Sequence, residues 1–466
     1  MSQTPPVSQS RHPRATFSAG PQRQAIALIL VHNDPALEFQ REEASGSRVY
    51  VNQISEALAK LGWQVDVFTR KTNPNDPTIV QHSPHHRTIR LVAGPQEFIP
   101  RDRLLEHMPA FVEAFRKFQT KDGFHYPLVH THYWLAGWVG LQLKQQSNIQ
   151  LVHTYHSLAA VKYAGMAQKP PVADHRMAVE RHTLVGANCV VANSPQEQET
   201  LRKLVATLGN VQVIPGGADL DVFHQMSRSD ARAQLGLSPS ENVVLHVGRF
   251  DSRKGIETLV RACAQLKQVE PLAEEPLRLL LVGAADDAES LAERDRIQSL
   301  VTDLGLNAVT EFVGQVGHDR LPLYYTAADV CVVPSQFEPF GLVALESMAC
   351  GTPVVASDVG GLKFAVVPEE TGLLVAPQDV DGFAGAIARI LSDDLWAYRL
   401  RRQASLRVQQ NFSWGAVAAR LSDLYRRLLA QSLTGDLLAA PTAQPSATSL
   451  SPLPAEPLEQ PLVNVS

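Results

Sequence analysis

Cysteine is scarce: four in 466 residues, at Cys189, Cys263, Cys331 and Cys350. They form no CxxC pair and no zinc-ligand spacing, so neither a disulfide framework nor a zinc finger organises the chain. Three lie in apolar or small-residue runs, where a buried thiol is expected, and that suits a reducing cytoplasm. Basic excess is missing too. Lys and Arg number 42 against 47 Asp and Glu, a net charge of -5, which argues against a nucleic-acid partner. No apolar run is long enough to span a bilayer, so no integral membrane contact is expected. The opening MSQTPPVSQSRHPRATFSAG lacks the apolar core of a secretory signal. There is no Walker loop, no clean GxGxxG and no Ser-His-Asp motif.

What is present is an alternation of strands and helices. A length of 466 residues suggests two to three domains, and 44% hydrophobic residues can fill real cores. Short apolar runs read as buried strands at Ala25–Val31, Gln64–Thr69, Leu128–His130, Leu151–Thr154, Cys189–Ala192 and Val211–Ile214. The pattern restarts at Asn242–Val247 and continues through Leu277–Val282, Thr310–Val313, Val330–Val333, Pro353–Ala356 and Gly372–Val375. Helical patterns lie between, which implies βαβ units and parallel sheets. The expected organisation is α/β: a disordered arm over 1–23, a first Rossmann-like domain over 24–215 and a second over 216–411. A helix over 412–433 would cross back, and a Pro-, Ala- and Ser-rich disordered tail would fill 434–466. Ligands of open α/β sheets bind beyond the carboxyl ends of the strands, so the cleft between two such sheets is the expected site.

The segment PSQFEPFGLVALESMACGTP, Pro334 to Pro353, is the most specific. A strand ends at Pro334 and a helix begins near Gly341, so the amides of Phe340, Gly341 and Leu342 sit at a helix N-terminus, where a diphosphate is well received. Glu346, one turn inside, could accept hydrogen bonds from ribose hydroxyls, and Glu338 could face a sugar; each alone could equally be a solvated or capping glutamate. GRFDSRKGIE, Gly248 to Glu257, also follows a strand, and Arg249 and Lys254 form an electrostatic clamp for a leaving diphosphate that needs no metal. In the first half, Ser45-Gly46-Ser47-Arg48 precedes a helix and lets a substrate approach the backbone. His130-Thr-His-Tyr-Trp and His153-Thr-Tyr-His-Ser lie at strand ends. His156 is a candidate contact to a sugar hydroxyl or a structural histidine. The histidines sit on separate strands without further ligands, so no metal site is expected.

These residues resemble the retaining glycosyltransferases of family 4, with the two-domain GT-B fold, over about residues 25–430. The resemblance rests on Glu338 and Glu346 with seven residues between, on Gly248-Arg249 with Lys254-Gly255, and on Pro215-Gly-Gly-Ala-Asp219. It implies a nucleotide-sugar donor such as UDP-sugar, no tightly bound cofactor and no required Mg2+. Arg249 and Lys254 would hold the diphosphate, Glu346 the ribose, Glu338 the sugar, and the backbone near Val316 the base. Gly46 would lie near the diphosphate and acceptor, and His156 near the transferred sugar. Two branches look similar, sucrose-phosphate synthase and the inositol-phosphate glycosyltransferase of mycothiol synthesis. Both take a phosphorylated acceptor, whose phosphate would map to Arg101, Tyr133, Ser157 and either Arg176 or Arg181, with Lys162 beside them. Arg48 stands where the mycothiol branch has a neutral side chain, which favours glucose transfer from UDP-glucose to fructose 6-phosphate. No phosphatase-like segment follows the final helices, so dephosphorylation is expected of a separate protein. An epimerase, a phosphorylase and a non-catalytic sugar-nucleotide sensor are the rival expectations.

Overall fold

AIALI at 25–29 is buried at every position. Such an uninterrupted apolar run fits a parallel strand covered by helices on both faces. In the computed structural model, which describes residues 23–36, 46–164, 166, 168–267, 276–338 and 340–438, it forms β1 (Ala25–Ile29). Among the described residues there are two sheets. The first contains β1, β2 (Gln64–Arg70), β3 (Ile79–Ser83), β4 (His86–Leu91), β5 (Leu128–His132), β6 (Gln150–Thr154), β7 (Cys189–Ala192) and β8 (Val211–Val213). Its order is β3-β4-β2-β1-β5-β6-β7-β8. The second contains β9 (Asn242–Val247), β10 (Leu277–Val282), β11 (Thr310–Gly314), β12 (Val330–Val333), β13 (Val354–Ser357) and β14 (Gly372–Val375), in the order β11-β10-β9-β12-β13-β14. Every pairing is parallel except β3 with β4. That hairpin edge was not foreseen. IVQHS of β3 is largely exposed, so it carries no apolar run to announce it.

In both sheets the strand order reverses once, between β1 and β5 and between β9 and β12. Crossovers leave such a switch point in opposite directions, which opens a crevice at the carboxyl ends of the two central strands.

The last helix, Trp414–Leu438, returns to the first sheet. Val417, Leu421, Leu424 and Leu428 join the same core as Ile26, Leu28, Val65 and Val191. Trp63 Nε1 donates to Ser422 Oγ at 2.9 Å, and Tyr425 Oη meets His130 Nδ1 at 2.6 Å. Where the chain crosses, Ala218 N–H donates to Phe412 O at 2.7 Å, and a Cβ on Gly217 would lie 2.6 Å from the Trp414 ring. The helix runs to Leu438, past the boundary expected at residue 433, because no proline interrupts it before Pro441. The arm over 1–22 and the tail from 439 lie outside the described residues.

Candidate functional site

The second switch point is assembled by glycine. The loop after β9 makes a short turn, Ser252–Lys254, capped by Asp251 and ended by Gly255 at φ 69°. A Cβ on Gly255 would stand 2.0 Å from the carbonyl oxygen of Pro334, at the end of β12. Only glycine permits that approach, and it brings two distant segments together. Gln336 N–H donates to Arg253 O at 2.7 Å, and Lys254 Nζ meets Glu338 Oε2 at 2.7 Å. The neighbouring loop after β10 is equally close: a Cβ on Gly283 would lie 1.8 Å from Gly248 O.

Glu338 is fixed from three sides. Its Oε1 accepts from Gly341 N–H at 3.4 Å, and its carbonyl accepts from Gly361 N–H at 2.8 Å. Gly341, at φ 73°, precedes the helix Leu342–Ala349. Phe340, Gly341 and Leu342 thus lie beside the Lys254–Glu338 pair. One turn in, Glu346 accepts from Tyr325 Oη at 2.8 Å, and burial pushes its carboxyl up to about 7. Val316 lies past the end of β11, two strands from β9 on the same carboxyl edge, and packs on the core beneath. Arg249 departs from the expected clamp. Its guanidinium is exposed and meets Asp287 at 2.7 Å and Asp286 at 3.9 Å, because the Gly283 approach places those acids alongside.

The first switch point faces it with a basic and aromatic set. Tyr133 ends β5 at φ 75°, ψ 155°, a region that in general only glycine enters freely. His156, after β6, has φ 61°. Arg176, on the helix Ala173–Gly186, is buried and reaches both segments. It donates to Ser157 Oγ at 3.0 Å, to Ser157 O at 2.9 Å and to Tyr133 Oη at 3.4 Å, while Glu180 holds its Nε at 2.7 Å. The His32 ring lies 4.4 Å from that of Tyr133. Burial, then the nearby charges of Arg101, His156 and Arg176, lower its pKa to about 3. His156 is held near 3 by burial. The Tyr133 and Ser157 hydroxyls held on the Arg176 guanidinium, with Arg101 near enough to act on His32, can take a phosphate dianion.

Two family models match the chain, the glycosyl transferase 4-like domain over residues 45–217 and glycosyl transferases group 1 over residues 227–408. The D-inositol 3-phosphate glycosyltransferase of Acidothermus cellulolyticus is 38% identical over 432 residues, 91% of this chain and 95% of that protein. The chain belongs to the group 1, family 4-like glycosyltransferases. The corresponding enzyme of Rhodococcus erythropolis is 37% identical over 405 residues, 86% of this glycosyltransferase and 91% of that one. The solved sucrose-phosphate synthase of Thermosynechococcus elongatus is 53% identical, with a TM-score of 0.74, covering 88% of this chain and all of that one. Anabaena HepE in complex with UDP, at 20% identity and a TM-score of 0.66 over 87% of this chain, shares the GT-B fold.

Several expected residues of this glycosyltransferase sit differently from the reading above. Arg181 is exposed, five residues after Arg176 and so on another face of the same helix; Arg176 alone reaches Ser157 and Tyr133. Lys162 is exposed and stands 5.7 Å over the Tyr163 ring, which the Arg176 guanidinium also meets at 5.6 Å. Arg48 is buried near Asp34: burial lowers its pKa and Asp34 opposes the change. Gly46 opens the helix Gly46–Lys60, with no atom of the described residues within 4 Å of where a Cβ would be; Ser45 lies outside the described residues. His130 and His153 are not at the site. Both are interior, bonded to Tyr425 and Thr154 and to Thr131. His32 and Tyr325 were missed; His32, just beyond an apolar strand, could have been found from position, whereas His132 lay within the strand-end segment already singled out, without a role of its own. Among the described residues no three His, Cys, Asp or Glu gather as metal ligands, and no helix is long and apolar enough to cross a membrane.

Proposed function

We propose that this glycosyltransferase moves glucose from UDP-glucose to fructose 6-phosphate with retention, as a sucrose-phosphate synthase. The observation that carries the acceptor is the 53% identity to sucrose-phosphate synthase over nearly the whole chain, against 36–38% for the inositol 3-phosphate glycosyltransferases. The donor would bind the second sheet. Glu346 takes the ribose, the backbone near Val316 the base, and Glu338 the sugar. The diphosphate meets the amides of Phe340, Gly341 and Leu342, with Lys254 drawn from Glu338 and Arg249 swung from Asp287. These two cations supply the countercharge, so Mg2+ is not required. The phosphorylated acceptor lies on the first sheet, its phosphate on Arg176, Ser157, Tyr133 and Arg101, near Gly46.

Closure about Gly216–Gly217 excludes water. The bond from the anomeric carbon to UDP breaks, and its electron pair leaves on the UDP oxygen. The acceptor hydroxyl attacks from the same face, and a phosphate oxygen of the departing UDP takes its proton. His156 stays neutral beside the sugar. The four buried, unpaired thiols suit a cytoplasmic reaction. The phosphorylated product would pass to a separate phosphatase.

The test is UDP release from UDP-glucose, ADP-glucose and UDP-N-acetylglucosamine crossed with fructose 6-phosphate, fructose and inositol phosphate, with and without EDTA. Turnover is expected with a nucleotide-glucose plus fructose 6-phosphate, equally in EDTA. Turnover with N-acetylglucosamine and inositol phosphate, the reading that the curated relatives favour, would overturn the acceptor and leave the donor site. Silence throughout would mean another acceptor or a sensor.

A further inference from the structure

A line of rings runs inward from the proposed sugar site. His156 Nε2 lies 3.0 Å from His132 Nδ1. The His132 ring is 4.2 Å from that of His130, which the returning helix fixes through Tyr425. Tyr50 closes the side, with its ring 5.2 Å from His156 and 5.7 Å from His132. His132 is fully buried, and its Nε2 has no hydrogen-bond partner among the described residues.

That unpartnered nitrogen decides where the proton sits. One of the two facing nitrogens must donate. If His156 donated from Nε2, His132 would carry its own proton on Nε2, a buried N–H with no acceptor. An orphaned buried donor is the costlier choice, and such groups are rare. With the proton on Nδ1 of His132, the contact is satisfied and only a lone pair stays unmatched.

We infer that His132 is a positioning residue: it donates from Nδ1 to His156 Nε2, so that His156 carries its proton on Nδ1 and offers the ligand a neutral donor, not a base. This rests on the reading of His156 as the residue beside the transferred sugar. The second nitrogen of a functional imidazole sets its tautomer in the same way at metal sites, where loss of such a partner costs at least about tenfold. The same logic explains how His156 keeps a left-handed backbone: a hydrogen bond and an aromatic edge hold its ring.

The experiment compares three variants. Asparagine places an amide N–H where the histidine Nδ1 stood, and glutamine places it where Nε2 stood. His132→Asn is expected to keep kcat for UDP release within about threefold, and His132→Gln and His132→Leu to lose about tenfold. UDP affinity, read at the other sheet, reports folding in each. Equal turnover of the Gln and Asn variants would overturn the inference. So would imidazole carbon and nitrogen shifts in the labelled wild type that place the His156 proton on Nε2. If the wild type ignored fructose 6-phosphate, only the acceptor reading would fall, since the tautomer is read without acceptor.

Discussion

Glu346→Gln should make this protein progressively more stable than the wild type as pH rises from 4.5 to 7 and beyond, and a worse ligand binder where the wild-type carboxylate is charged. Burial raises the carboxyl from its ordinary value to about 7, so the folded state binds this proton more tightly than the unfolded state does. Stability from this group is therefore full below pH 4.5, falls as pH rises, and is lost above 7. The difference amounts to roughly 3 kcal/mol. Glutamine has no such titration and still accepts from Tyr325 Oη. Urea unfolding at pH 5 and pH 8 should show the variant-minus-wild-type difference growing by roughly that amount, with the other titrating groups cancelling. UDP titration at pH 8 should move the opposite way. Hydrogen bonds from ribose hydroxyls to a charged acceptor contribute about 1.5–3 kcal/mol, so affinity should fall at least about tenfold. Below pH 6 the wild type itself should bind UDP more weakly. A variant less stable than the wild type at pH 8 would refute the reasoning.

Lys254→Ala and Glu338→Gln should each lower kcat/KM by about 100-fold or more while the urea midpoint stays near the wild type; full turnover in both would dismiss the site. Gly255→Ala should cost at least about 2 kcal/mol in urea unfolding, from a positive φ and a clash with the Pro334 carbonyl, and weaken UDP binding with it; an unchanged midpoint would contradict the loop geometry. Ser157→Ala should raise KM for fructose 6-phosphate by roughly 5–10-fold, and Arg181→Ala should leave it unchanged. An equal rise in both would undo the choice of Arg176.

The parts that could be read from the chain were those written as contiguous segments. AIALI, CVVA and VCVV are buried strands because both faces are covered, and an unbroken apolar run says so. Glu338, Gly341 and Glu346 share one strand-to-helix segment, so their spacing alone placed them. Pairings across the chain were not legible. Tyr325 is 21 residues from Glu346, and nothing local marks it as the partner that raises no clash with a buried acid. Arg249 looked like half a clamp, but Gly283 folds Asp287 against it. Arg176 and Arg181 read alike until the helix phase buried one and exposed the other. Tyr133 offered no sign of its glycine-like backbone, since side-chain type does not announce φ when surrounding contacts impose it. β3 and β4 both went unseen: β3 is an exposed, polar edge, and HRTIRL of β4, though largely buried, shows no apolar run because Arg87 and Arg90 enter the sheet paired with Asp66 and Asp34.

The return of the Trp414–Leu438 helix to the first sheet has a consequence for synthesis. Ile26, Leu28, Val65 and Val191 need Val417, Leu421 and Leu424 to cover them, so the first half of the chain cannot be completed when its own last strand leaves the ribosome. The second sheet must be made before the final helix exists. At ordinary elongation rates that interval is roughly 10–40 s. During it, the part of one sheet face that the helix Gly46–Lys60 does not cover stays exposed. The second half needs no such loan, because its core is drawn from residues 218–412. The half made first is thus finished last, and its apolar face is the surface a chaperone would have to shield.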